Sequence, residues 1–246
     1  MYGMKNSFKV TLFFCILGLI ACLGDPKDFS GCLESGFGCE GPAVPDFTYW
    51  NTDEVNLKDE TGWDHTVNCS NLGYVSRAQW GGRTPTSYEN MGKKVSIVFI
   101  HHTVLSHCTT GYECKEAVRK VEELHKDVLK WDDIGYNFLA GEDGRIYQAR
   151  GWDRVGAHTK GFNKIAISIG AMGNFMLQTP DQKMLDAIQA QLECGVVSGK
   201  LEPDYKLYGH RDAKATESPG DFLYNIIKTW PHFDQDTPRP IQPPML

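Results

Sequence analysis

The chain lacks several features that would have named a function at once. It has no basic run of the kind that tracks phosphates, and its net charge is −6, with 25 Lys and Arg against 31 Asp and Glu. That balance speaks against a nucleic-acid partner. No internal repeat is present, and only one long apolar stretch occurs, at the very start. Lys5 and Lys9 precede "VTLFFCILGLIACLG", which is short for a bilayer span and is followed by small residues and Asp25. The pattern predicts a signal peptide over residues 1–24, cut near Gly24, and hence a secreted, extracellular protein without a membrane span. The run "LIAC" also resembles a bacterial lipobox, in which Cys22 would carry lipid. Neither is the composition that of a disordered chain: 41% of the 246 residues are hydrophobic and 11% aromatic, enough for a sizeable core.

Of eight cysteines, Cys15 and Cys22 fall in the leader, which leaves an even number for an oxidising compartment. Proximity favours Cys32–Cys39 and Cys108–Cys114, with Cys69–Cys194 as the remainder, although the residues alone leave other pairings open. Residues 25–66 hold ten acidic side chains and two lysines. They read as an extended acidic extension, stapled by Cys32–Cys39 if that pair forms. Residues 67–235 form the folded domain, and 236–246 a C-terminal tail.

Within the domain, "VSIVFIHHTV" (95–104) and "IAISIGAM" are short β-branched runs that predict buried strands. "YNFLAGEDGRIYQAR" predicts two strands around Glu142-Asp143-Gly144, and "YKLYGH" a short strand ending at His210. "CKEAVRKVEELHKDVL" places Ala117, Val118, Val121, Leu124, Val128 and Leu129 at helical spacing. A second helix is predicted after Thr179 as cap, Pro180 at its first position and Gln182 completing a capping box. A third is predicted to start at Ser218-Pro219 and to stop before Pro231. The expected fold is α/β, a central mixed β-sheet flanked by three helices.

The chemistry concentrates at two strand ends, His101 and His210. Successive side chains on a strand alternate faces, so His101 and His102 are not expected to serve one metal together. A catalytic zinc takes three protein ligands and keeps one position for water. The third place is occupied by Ser218, eight residues after His210. A thiolate there would complete the set; a hydroxyl, neutral near pH 7, offers neither the charge nor the soft donor. Asp212 is a weaker candidate. Ser218 followed by proline also suits an N-cap, worth about 1 kcal/mol.

The blocks "VSRAQWGGR", "IHHT", "DIGYNFLAGEDGRIYQARGW", "GAHTKGFN", "SIGAMGNF", "YGHRD" and "TESPGDFLYNIIKTWPHF" resemble, in order from about Cys69 to Phe233, the peptidoglycan recognition proteins of animals, relatives of phage-type zinc N-acetylmuramoyl-L-alanine amidases. The resemblance implies that His101 and His210 match the zinc histidines. It also implies that Tyr136 matches a tyrosine assisting the attacking water, and Thr216 a residue beside the metal. Ser218 falls where amidase members carry cysteine; members with serine there are generally non-catalytic and bind the wall fragment uncut. The implied peptidoglycan-binding residues are His101, His125, Trp131, Tyr136, Arg150, His158 and Asn163. The pairings Cys108–Cys114 and Cys69–Cys194 also resemble the family's bridges. Trp131 and Arg150 point towards stems containing diaminopimelate, while Lys130 departs from the pattern.

The resulting expectation is a secreted innate-immune receptor for bacterial peptidoglycan with no cofactor and no catalytic residues. It would act through an extracellular signalling partner in a cascade such as Toll. The alternative is a zinc-dependent amidase that tolerates Ser218. Asn68-Cys69-Ser70 is a glycosylation sequon by pattern.

Overall fold

A computed structural model of the protein describes residues 72–240 continuously, together with Cys69 and two short paired segments, β1 (Leu57–Lys58) and β2 (Asp64–His65). All of them lie within the unit Trp50–Leu246. The expected signal peptide, the expected Cys32–Cys39 pair, Asn68, the rest of the acidic segment and residues 241–246 fall outside the described residues.

Six strands build one mixed sheet: β3 (Tyr74–Val75), β4 (Val95–His102), β5 (Phe138–Ala140), β6 (Ile146–Gln148), β7 (Ala166–Ala171) and β8 (Leu201–Gly209). Their order is β3-β6-β5-β7-β4-β8. The β5–β6 hairpin is antiparallel and every other pairing is parallel. Parallel strands need both faces covered, which is why β4 and β7 are apolar almost throughout.

The period of two decides what each face receives. On β4, Val98 and Ile100 point to one side and pack with Ile167 and Ile169 of β7. That side is covered by α3 (Gln182–Val197), through Met184, Leu185, Ile188 and Leu192, and by α5 (Asp221–Ile227), through Leu223 and Ile227. Each fully buried aliphatic side chain here contributes roughly 1.5–3 kcal/mol. Phe99 points to the opposite face, against Phe162 and Tyr208. On that face β5 and β6 are covered by α2 (Gly111–Glu123) through Val118 and Val121, and by Trp80 of the single-turn α1 (Arg77–Trp80).

The expected three flanking helices are therefore α2, α3 and α5, with two single turns, α1 and α4 (His210–Ala213), in addition. Their starts differ from expectation. Helix α2 opens at Thr110, whose hydroxyl accepts from Glu113 N (3.3 Å) while Glu113 accepts from Thr110 N (3.1 Å), a capping box that precedes the first apolar position. Helix α3 is capped by Asp181, whose carboxylate takes Lys183 N at 2.8 Å, and not by Thr179. An ionised oxygen beside Pro180 outcompetes a hydroxyl two residues earlier.

The end of α2 also departs from the expected stripe. Its last residues widen into a π-helical turn, Leu124–Val128, closed by Leu129 N to Leu124 O at 2.9 Å. An extra residue in the turn rotates the face, so Leu124, Val128 and Leu129 emerge exposed. His125 instead turns inward and is buried. Such turns recur at functional sites.

Among the described residues two disulfides close the fold, Cys69–Cys194 and Cys108–Cys114, with Cα separations of 5.6 and 5.0 Å. The first links residues 125 apart, worth about 4–5 kcal/mol in the loop-entropy description. A buried ion network, not foreseen from the sequence, ties α1 to α2 and to the segment before β5. Arg77 grips Asp133 with both terminal nitrogens (2.5 and 3.0 Å) and reaches Glu122 at 3.0 Å, while Arg83 holds the other Glu122 oxygen at 3.0 Å. Asp133 sits three residues before Tyr136, so the network fixes the approach to the cleft.

Candidate functional site

The carboxyl ends of parallel β4 and β8 lie side by side, the place where α/β sheets commonly bind ligands. Register sets the geometry. Ile100 pairs with Gly209, so His101, the last residue but one of β4, lies beside His210, the first residue after β8. The two rings are 4.2 Å apart between centroids. Across the other edge of β4, His101 pairs with Gly170 of β7. A Cβ at Gly170 would come within 3.2 Å of the Tyr136 ring and 2.9 Å of Leu139, so glycine makes the room in which Tyr136 lies 5.4 Å from His101. His158 completes the group at 5.7 Å from His101. The Thr159 hydroxyl lies between them, 3.0 Å from His158 Nδ1 and 3.4 Å from His101 Nε2.

Above these rings lies a cavity of about 460 Å³, lined by His101, His125, Trp131, Tyr136, His158 and His210, and beyond them by Thr216 and Ser218. Lys214 and Glu217 line it too; nothing in the sequence reading had selected them. The imidazoles are held neutral. Burial pushes His101 well below the usual histidine range, His210 down to about 4 and His158 to about 3. It likewise pushes His125 to about 4, and the Tyr136 phenol up to about 12. His125 Nδ1 accepts the Gly135 N–H at 3.0 Å, which assigns the proton to Nε2 and makes His125 a donor. Trp131 stacks on His125 at 4.7 Å with 40% of its surface exposed. His102 is engaged elsewhere, its Nδ1 accepting from Phe175 N at 3.3 Å.

Two residues carried over by resemblance stand behind the cavity wall. Arg150 donates Nε to Ile134 O and Nη1 to Val155 O, both at 2.7 Å, bracing the strands of chain on either side of Tyr136. Asn163 Oδ1 accepts from His158 N (3.0 Å) and Thr159 N (2.9 Å), holding the loop that presents His158.

Ser218 does not cap a helix. Helix α5 starts three residues later, at Asp221, after Gly220 in a left-handed conformation (φ 92°). A Cβ at Gly220 would meet the Phe175 main chain at 2.4 Å, so that close approach requires glycine there and delays the helix. Ser218 is buried instead, its Oγ accepting the His102 N–H at 3.2 Å. Its own N–H donates to Thr216 Oγ1 at 3.3 Å.

The donor set can be tested against a zinc ion of the amidase type. His101 and His210 are suitably close, but the third place offers a neutral hydroxyl already serving a main-chain donor. Asp212, the other candidate, spends one oxygen on Gly209 N (2.8 Å) and the other on Tyr224 OH (2.6 Å). Among the described residues no three His, Cys, Asp or Glu side chains are grouped to hold a metal. These residues do not fit a three-ligand catalytic zinc.

The fold and the paired histidines define an amidase-type domain: the family model described as N-acetylmuramoyl-L-alanine amidase matches residues 91–221. A peptidoglycan recognition protein of Trichoplusia ni is 44% identical over 161 residues, 65% of this chain and 88% of that one. Among solved structures, the complex of tracheal cytotoxin with the ectodomains of peptidoglycan recognition proteins LCa and LCx contains a chain 44% identical, with a TM-score of 0.65, over 66% of this chain and 99% of the other. Peptidoglycan recognition protein-LE in complex with tracheal cytotoxin is 37% identical, TM-score 0.65, over 66% and 96%. The chain belongs to the peptidoglycan recognition protein family.

Proposed function

We propose that this chain is a secreted receptor of innate immunity that holds muropeptide fragments of bacterial peptidoglycan in the cavity at the ends of β4 and β8 and leaves them uncut. The observation that carries the second half of this reading is Ser218: its Oγ already accepts the His102 N–H, at the position where a thiolate would complete His101 and His210. Binding is supported by family membership and by relatives solved with tracheal cytotoxin, in one case described as a monomeric diaminopimelic acid-type peptidoglycan. The cavity suits such a ligand in size and lining. Trp131 offers an aromatic face to sugar or stem, and His125 Nε2–H a donor to a peptide carbonyl. Diaminopimelate preference rests on family likeness at Trp131 and Arg150; of the two only Trp131 lines the cavity, Arg150 standing behind it with Nε and Nη1 on main-chain carbonyls. Secretion and an extracellular signalling partner, as in a Toll cascade, complete the proposal by family likeness.

The adjacency of His101, His210 and Tyr136 favours a second reading, a zinc-dependent N-acetylmuramoyl-L-alanine amidase. Pull-down on insoluble peptidoglycan tests the first reading; no retention of the purified chain on either diaminopimelate-type or lysine-type peptidoglycan removes it. One zinc per chain with release of stem peptide from muropeptide supports the second.

A further inference from the structure

Three non-glycine residues among those described have positive φ: Val104 (59°), Lys130 (61°) and His232 (66°). Lys130 follows the last turn of α2, where left-handed residues are ordinary helix terminators. Val104 has no such excuse. A β-branched residue in the left-handed region is a true outlier, because its two γ carbons crowd the main chain. Such strain persists only where the surroundings over-determine it, and it collects at binding sites.

The surroundings of Val104 do that. Thr103 N donates to Ala171 O at 3.0 Å and Val104 N to Gly173 O at 2.9 Å, while Thr103 Oγ1 accepts from Gly173 N at 3.2 Å. Together with Leu105 N, which donates to Thr103 Oγ1 at 3.4 Å, these bonds pin the chain on both sides of the strained residue. What they produce is an apolar side chain 58% exposed at the cavity wall, two residues beyond the histidines. The exposure means that the strain is not repaid by packing within the protein.

We infer that Val104 is a binding contact, an apolar knob that packs against the methyl-bearing lactyl–alanyl part of a muramyl peptide. The inference rests on the peptidoglycan-binding reading above and deepens it by naming one contact. That part of the ligand carries two methyl groups within a few bonds, and Val104 is the one branched aliphatic side chain in a lining otherwise made mostly of histidine, aromatic and polar residues. Covering one or two methyl groups changes affinity by roughly three- to tenfold.

The test compares the natural chain with Val104→Asn and Val104→Gly, both of which accept the left-handed conformation. Binding of a soluble muramyl tripeptide is measured by calorimetry and Tm by scanning fluorimetry. The expected result is that Val104→Asn melts roughly 2–4 °C higher than the natural chain and binds roughly three- to tenfold more weakly. Val104→Gly should bind as weakly as Val104→Asn, with a Tm no lower than natural. Unchanged affinity in both variants overturns the inference while leaving the binding reading intact. A Tm reduced in both removes the strain on which it stands. If the natural chain itself does not bind, the reading and the inference fall together.

Discussion

The Oγ of Ser218 and the main-chain N–H of His102 are joined by a 3.2 Å hydrogen bond across 116 residues of sequence. That contact gives the serine a structural task where a metal ligand would otherwise stand, and it ties the loop between α4 and α5 to the end of β4. Replacing Ser218 by alanine leaves a buried donor unpaired, which costs about 1–3 kcal/mol. The expected outcome for Ser218→Ala is a lower Tm with peptidoglycan retention preserved, measured by thermal melting and pull-down together. Loss of retention at full stability would show that Ser218 touches ligand.

Ser218→Cys carries the complementary expectation. With His101 and His210 rings already 4.2 Å apart, a thiolate supplies the missing anionic, soft donor. The variant is expected to purify with close to one zinc per chain by atomic absorption, and to lose it as the pH is lowered and its ligands protonate. A metal-free variant would mean that the two imidazoles do not converge on one point.

Arg77 is expected to be among the costliest single positions outside the cleft. It lies between Asp133 and Glu122, which are 1% and 3% exposed. Removing the cation leaves the buried Asp133 without its ion-pair partner and Glu122 with Arg83 alone, a loss of about 3–5 kcal/mol. Denaturant melts of Arg77→Ala check this; a loss under about 1 kcal/mol would show the network to be solvated.

Much of this was legible in the residues, and what was not has identifiable physical causes. The period-two pattern of 95–104 located β4 and set His101 and His102 on different duties. The mixed sheet, its hairpin and the three main helices followed from similar patterns. Helix starts were misplaced wherever a cap lies outside the apolar stripe: Thr110 precedes it, and Asp181 stands behind a proline. The inward turn of His125 depends on a π-helical widening that no 3.6-residue period reveals. Arg150 and Asn163 are polar residues near the site in sequence, yet their bonds go to main chain, a distinction that only tertiary placement makes. Ser218 looked like a helix cap because Ser-Pro is a good one; the helix starts instead at Asp221, after Gly220 has passed close to the Phe175 main chain.

The buried histidines give stability a definite pH dependence. Burial holds His101 well below the ordinary histidine value of about 6.5, His125 and His210 at about 4, and His158 at about 3. Between these values and 6.5 the unfolded chain binds more protons than the folded one, so stability rises with pH. The contribution is fully present above about 6.5 and is lost as pH falls towards 4. A single fully buried histidine such as His101 adds a slope of up to about 1.4 kcal/mol per pH unit. The expected Tm is therefore flat above neutrality and falls steadily from pH 6.5 to 4. A Tm that holds constant over that interval would mean that the imidazoles are protonated in the fold.

Incubating the natural chain with zinc and a soluble muropeptide, and following both products and bound ligand by mass spectrometry, addresses the proposed function most directly. The expected spectrum contains the muropeptide intact and associated with the protein. Free stem peptide appearing in proportion to bound zinc would contradict it.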